Sequence, residues 1–70
     1  METLYIYNQG IVKLLCDALD IPFQEGLIYR AYINPKNNNC KIYSGTHYYY
    51  NGYIKPEIIK VLNKILNREI

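Results

Sequence analysis

The sequence predicts an α+β fold: a small antiparallel-rich sheet of three to four strands with two helices on one face, in the order β-α-β-β-(β)-α. Stretches rich in Tyr and Ile that alternate in polarity recur at residues 3–7, 27–34 and 40–50. Residues 11–19 and 56–68 instead place their aliphatic side chains at helical spacing. The links between these segments are short and dense in Asn, Gly and Pro. With 70 residues, half of them apolar and a fifth charged, residues 1–70 make one globular domain with a thin core.

The first strand is Thr3-Leu4-Tyr5-Ile6-Tyr7, where β-branched, aliphatic and aromatic residues suit a pleated surface. Asn8 is placed to cap the helix that follows, and Gly10 costs little in a first turn. Ile11, Leu14, Leu15, Ala18 and Leu19 form its apolar face, opposite Lys13, Asp17 and Asp20. Pro22 disfavours helical geometry at Ile21, so the helix should stop near Asp20. After Gln24-Glu25-Gly26, Leu27 to Asn34 reads as the second strand. Asn34-Pro35-Lys36-Asn37-Asn38-Asn39 reads as a hairpin loop, and Cys40 to Ser44 as the returning strand.

Beyond a break at Ser44-Gly45, His47-Tyr48-Tyr49-Tyr50 forms a further short strand. Asn51-Gly52 carries the strongest turn chemistry of the chain, closing a hairpin or aiming the next helix. Pro56 suits the first position of the last helix, Glu57 complements its positive start, and Lys64 and Arg68 complement its end. Its stripe is Ile58, Val61, Leu62, Ile65 and Leu66, opposite Lys60, Asn63, Lys64 and Asn67.

Strand parity sorts the sheet into two faces. Leu4, Ile6, Leu27, Ala31, Ile33, Cys40 and Ile42 fall toward the helices, as does Tyr29, whose hydroxyl then needs a partner. Tyr5, Tyr7, Arg30, Tyr32, Lys41 and Tyr43 share the other face. Alternation through the Tyr48-Tyr49-Tyr50 run puts Tyr48 and Tyr50 on one side and Tyr49 on the other, with at least one ring exposed. The partner-binding set expected from this is Tyr5, Tyr7, Arg30, Tyr32, Lys41, Tyr43, Tyr48 and Tyr50, because tyrosine joins a flat apolar ring to a polar tip at modest entropy cost. Strand addition at the edge formed by the Tyr run would give a homodimer.

Composition narrows the function. Eight basic residues against six acidic ones leave a net charge of +2, too little for counterion release over many phosphates, which excludes a dedicated duplex-DNA binder. No stretch is long enough to span a bilayer, and Met1-Glu2-Thr3 lacks the basic start of a secretion signal. Cys16 and Cys40 make no disulfide framework and are expected to be reduced thiols in the cytoplasm. Ile, Tyr, Asn and Lys supply 11, 9, 8 and 6 residues, a bias toward A- and T-rich codons that fits a bacterium of A+T-rich genome or one of its phages.

Catalytic chemistry has little to stand on. His47 is the single histidine, and its expected place is an exposed strand position beside tyrosines. Glu2, Asp17, Asp20 and Glu25 form no pair, and Glu57 and Glu69 have ordinary helix and surface roles. The cysteines lack metal-ligand spacing, no glycine-rich phosphate loop occurs, and no cofactor is implied.

Two resemblances concern RNA. Thr3-Leu4-Tyr5-Ile6-Tyr7-Asn8 is similar to the first-strand motif of RNA-recognition domains, which implies a ring stacking a base on an open sheet, although the glycine-aromatic third-strand motif and the last strand have no counterpart. Gly45-Thr46-His47 resembles the Gly-Ser-His segment of small hic-type RNA-cleaving toxins, which implies a catalytic role for His47, although Thr replaces Ser and the strand before the final helix is missing. The leading expectation is a non-enzymatic intracellular binding protein. It would be a phage or mobile-element inhibitor occupying a host protein or nucleoprotein complex, such as a defence nuclease, through its tyrosine face and the loop 45–53. The alternatives are a single-stranded RNA-binding module and, behind it, a His-dependent RNA-cleaving toxin.

Overall fold

A computed structural model describes residues 3–68 of the chain, so Glu2 and Glu69 lie outside the described residues, as does the side chain of Arg68. The elements follow the order β1 (Leu4–Ile6), α1 (Gln9–Ala18), β2 (Arg30–Asn34), β3 (Asn39–Ser44), β4 (His47–Tyr53) and α2 (Pro56–Arg68). The strands form one antiparallel sheet in the order β1-β2-β3-β4, so β1 and β4 are its edges. Both helices pack on the same face. Ile11, Val12, Leu15 and Cys16 of α1 and Ile59 and Leu62 of α2 close over Ile6, Ala31, Ile33, Cys40 and Ile42 of the strands. Burial of each large aliphatic side chain there stabilises by about 1.5–3 kcal/mol.

Local chemistry fixes the ends of α1. The Asn8 side-chain oxygen accepts from the Ile11 amide at 3.1 Å, as the N-cap expectation required. At the other end Asp20 adopts a left-handed conformation with φ 58°. The Ile21 amide then reaches the Cys16 carbonyl at 2.8 Å and the Asp20 amide the Asp17 carbonyl at 3.3 Å, a Schellman closure without its usual glycine. The buried face of α1 is rotated from the expected one. Val12 and Cys16 are core, whereas Leu14 and Ala18 are exposed.

In α2 the expected Leu62 is core and is joined there by Ile59, while Val61 of the expected stripe is exposed. Ile58, Ile65 and Leu66 are half-buried against the core. Leu14, Ala18, Ile58, Val61 and Ile65 line an apolar groove of about 420 Å³ between the helices.

The second strand begins at Arg30 rather than Leu27, and Leu27 and Ile28 are exposed. Gln9 explains the boundary. Its amide nitrogen donates to the carbonyls of Tyr29 at 2.7 Å and Tyr7 at 2.8 Å, while its oxygen accepts from the Tyr29 amide at 2.8 Å. A side chain thus takes the place of the strand partner that Tyr29 would otherwise need. Tyr29 itself is fully buried, and its hydroxyl accepts from the Gln24 amide at 3.1 Å.

The β2–β3 loop closes with Asn38 at φ 55°, and the side chains of Asn34 and Asn37 accept from the amides of Lys36 and Asn39. Gly45, at φ 60°, occupies the first central position of the two-residue β3–β4 turn, where a side chain would be strained. Asn51-Gly52, the expected turn, instead lies inside β4 and has no positive φ. Gly52 is opposite Cys40, and the Tyr50 ring folds over it, so that a Cβ at Gly52 would stand 3.6 Å from the ring. Both cysteines are free and buried. Burial pushes the Cys40 thiol up to about 12, with Cys16 nearby adding to the rise.

Candidate tyrosine-lined binding face

The face of the sheet away from the helices collects seven of the eight expected side chains. Register builds it in rows. Tyr5 is opposite Tyr32, which is opposite Lys41, and Arg30 is opposite Tyr43, which is opposite Tyr48. Tyr7 follows the end of β1, yet its ring lies nearly parallel to that of Tyr5 at 6.2 Å, and the Arg30 guanidinium sits 5.6 Å from its centre. Tyr5 meets Tyr32 edge-on at 4.9 Å, and Tyr43 meets Tyr48 at 5.3 Å. The Lys41 ammonium lies 5.9 Å from the centre of the Tyr32 ring. Tyr5, Tyr7 and Tyr48 are each more than half exposed, while Tyr32, Lys41 and Tyr43 are half-buried beneath them.

Tyr50 does not belong to this face. A β-bulge at Tyr49 places Tyr43 opposite Tyr48 but Ile42 opposite Tyr50, so parity flips within the Tyr run. Tyr48 stays on the open face, whereas Tyr49 and Tyr50 both turn to the helix side and pack against the core. The Tyr50 hydroxyl donates to the Tyr53 carbonyl, and the Tyr49 ring lies between Tyr29 at 5.2 Å and His47 at 4.5 Å. Strict alternation across residues 48–50 is therefore corrected by the one extra residue. His47 is exposed at the turn end of β4.

Tyr53, expected only as part of the loop 45–53, is a strand residue of the open face. It lies opposite Asn39, on the parity of Lys41 and Tyr43, and is 61% exposed. A turn at Asn51-Gly52 hides it, because the strand then ends at Tyr50, three residues early.

Tyr5, Tyr32, Lys41, Tyr43 and Tyr48 line a depression of about 330 Å³ in this face. The Tyr5 phenol is pushed up from its ordinary value by loss of hydration, then by the Tyr32, Tyr7 and Tyr43 phenols close to it. None of the four strands carries an Asp or Glu. The face therefore combines flat rings, hydroxyl donors and acceptors, and two cations. Among the described residues no group of His, Cys, Asp and Glu could hold a metal ion, and no helix is long and apolar enough to cross a membrane. Comparison with protein-family models, curated proteins and solved structures finds no match to this chain.

Proposed function

We propose that this chain is a non-enzymatic binding protein that occupies a partner protein with its tyrosine face. The observation that supports this best is the set of rings held in place before any partner arrives. Tyr5 meets Tyr7 and Tyr32, and Tyr43 meets Tyr48, with every ring but that of Tyr7 standing on a strand, so part of the side-chain freedom is given up before binding. Tyr and Arg are also the residue types that dominate interface energetics. The A+T-biased composition and the two buried thiols favour a partner in the cytoplasm of a bacterial host and an inhibitor carried by a phage or mobile element. A second reading, single-stranded RNA stacked on the exposed rings, draws on Arg30 and Lys41 beside Tyr7 and Tyr32.

Recovery of the tagged protein from host lysate, with and without nuclease, separates the two. The protein-binding reading expects a protein partner that survives nuclease and loses little affinity as salt rises. Tyr32→Ala and Tyr43→Ala should each weaken that binding more than about tenfold while the fold persists. Recovery of RNA instead, with affinity falling steeply as salt rises, would replace it with the RNA reading.

A further inference from the structure

The depression among Tyr5, Tyr32, Lys41, Tyr43 and Tyr48 has a chemistry of its own. Rings around a cavity of this size suit two kinds of ligand, a cation seated against the ring faces or an anion seated among the hydroxyl donors. The resident charge decides between them. The Lys41 ammonium already lies near the Tyr32 ring, so a second cation would meet repulsion where it sought attraction. An anion would meet that same ammonium and the tyrosine hydroxyls, with no carboxylate on any strand to compete for them. Tyr32, Lys41 and Tyr43 are half-buried, so water screens the attraction less than it would on an open surface.

We propose that this depression receives one carboxylate side chain, a Glu or Asp, presented by the partner protein. The inference rests on the reading of the tyrosine face as a protein-binding surface and names the anchor that surface seeks. A planar carboxylate can accept from the Lys41 ammonium on one oxygen and from tyrosine hydroxyls on the other. Once the partner is seated, the contacts around the pair exclude water from it, as near-neutral contacts do around anchors in interfaces generally.

The test is a titration of the isotope-labelled full chain followed by NMR, with three probes: a capped tripeptide containing Glu, its Gln counterpart, and uridine monophosphate as the phosphate source. The Glu peptide should shift the resonances of Lys41 and Tyr43 saturably, and the Gln peptide should bind about tenfold more weakly. Lys41→Met, which keeps the stem over Tyr32, should abolish the preference for Glu over Gln, and Lys41→Arg should retain it. No saturable shift, equal binding of the Gln peptide, or tighter binding of uridine monophosphate would overturn the proposal. A silent titration beside partner capture that still depends on Tyr32 would overturn the carboxylate site and leave the binding face standing. A saturable Glu-selective titration beside capture indifferent to Tyr32 would support the anion chemistry and remove the face from the interface.

Discussion

The open face of the sheet and the groove between the helices both leave apolar surface in water, but they do so differently. On the sheet, Tyr5, Tyr7 and Tyr48 are exposed while touching ring neighbours, each with a hydroxyl tip for the solvent. In the groove, Leu14 and Val61 are 54% and 55% exposed and carry no polar atom on the side chain. The sheet positions are set by backbone register, which admits two orientations and nothing between. The helix positions are set by how far a broad stripe rolls over the core, which varies continuously. Rigid backbone therefore underlies the tyrosine face, whereas the groove is what remains where two helices incompletely cover one another.

The largest effect that sharpens this contrast is expected in the core beneath the groove. Leu62→Ala should destabilise by roughly 2–5 kcal/mol, because Leu62 is 3% exposed in the main cluster. Leu14→Ala, on the groove wall, should stay within about 0.5 kcal/mol, in line with surface substitutions. Thermal or urea unfolding of both variants checks the pair. Equal losses would mean that the groove is packed as tightly as the core, and the contrast would fail.

The strand faces were legible in the sequence because parity is binary. Ile6, Ala31, Ile33, Cys40 and Ile42 went to the core, and Tyr5, Arg30, Tyr32, Lys41 and Tyr43 to the open face, as alternation required. Legibility ended wherever one residue changes the count. The bulge at Tyr49 turned Tyr50 inward, and nothing in three consecutive tyrosines marks which is the extra one. The Asn51-Gly52 pair has turn chemistry that strand pairing overrode, because Asn51 and Gly52 continue β4 opposite Lys41 and Cys40. Each helical stripe is right at its centre and wrong at one edge. Ile11, Leu15 and Leu62 are core as expected, but Val12, Cys16 and Ile59 are buried where Leu14, Ala18 and Val61 are exposed, because periodicity alone does not fix how far a broad stripe rolls. The Gln9 bridge was invisible for a different reason, because it joins residues that are twenty apart along the chain.

Gln9 offers the next largest effect and tests how firmly the tyrosine face is held. Gln9→Ala removes three hydrogen bonds at the point where Tyr7 and Arg30 enter the face, and should cost about 2 kcal/mol. Hydrogen exchange should quicken at the Tyr29 amide before it does at Ile33 or Ile42. Uniform acceleration would show that the bridge is not a local clamp. The smallest effect is a gain on the helix side. Asp20→Gly relieves a left-handed residue at the end of α1 and should stabilise by about 0.5 kcal/mol, read as a small rise in Tm. A fall would mean that the Asp20 side chain contributes more than its backbone strain costs.

The central claim, that the sheet face and not the groove is the interface, is tested most directly by measuring partner affinity for two double variants side by side. Tyr32→Ala with Tyr43→Ala strips the centre of the face, and Leu14→Glu with Val61→Glu puts charge on both groove walls. Both must keep the circular dichroism spectrum and cooperative unfolding of the parent chain. The account predicts that the tyrosine pair weakens binding more than about tenfold and that the groove pair changes it less than about twofold. Normal binding by the folded tyrosine pair, with loss in the groove pair, would contradict the account and move the interface to the helices.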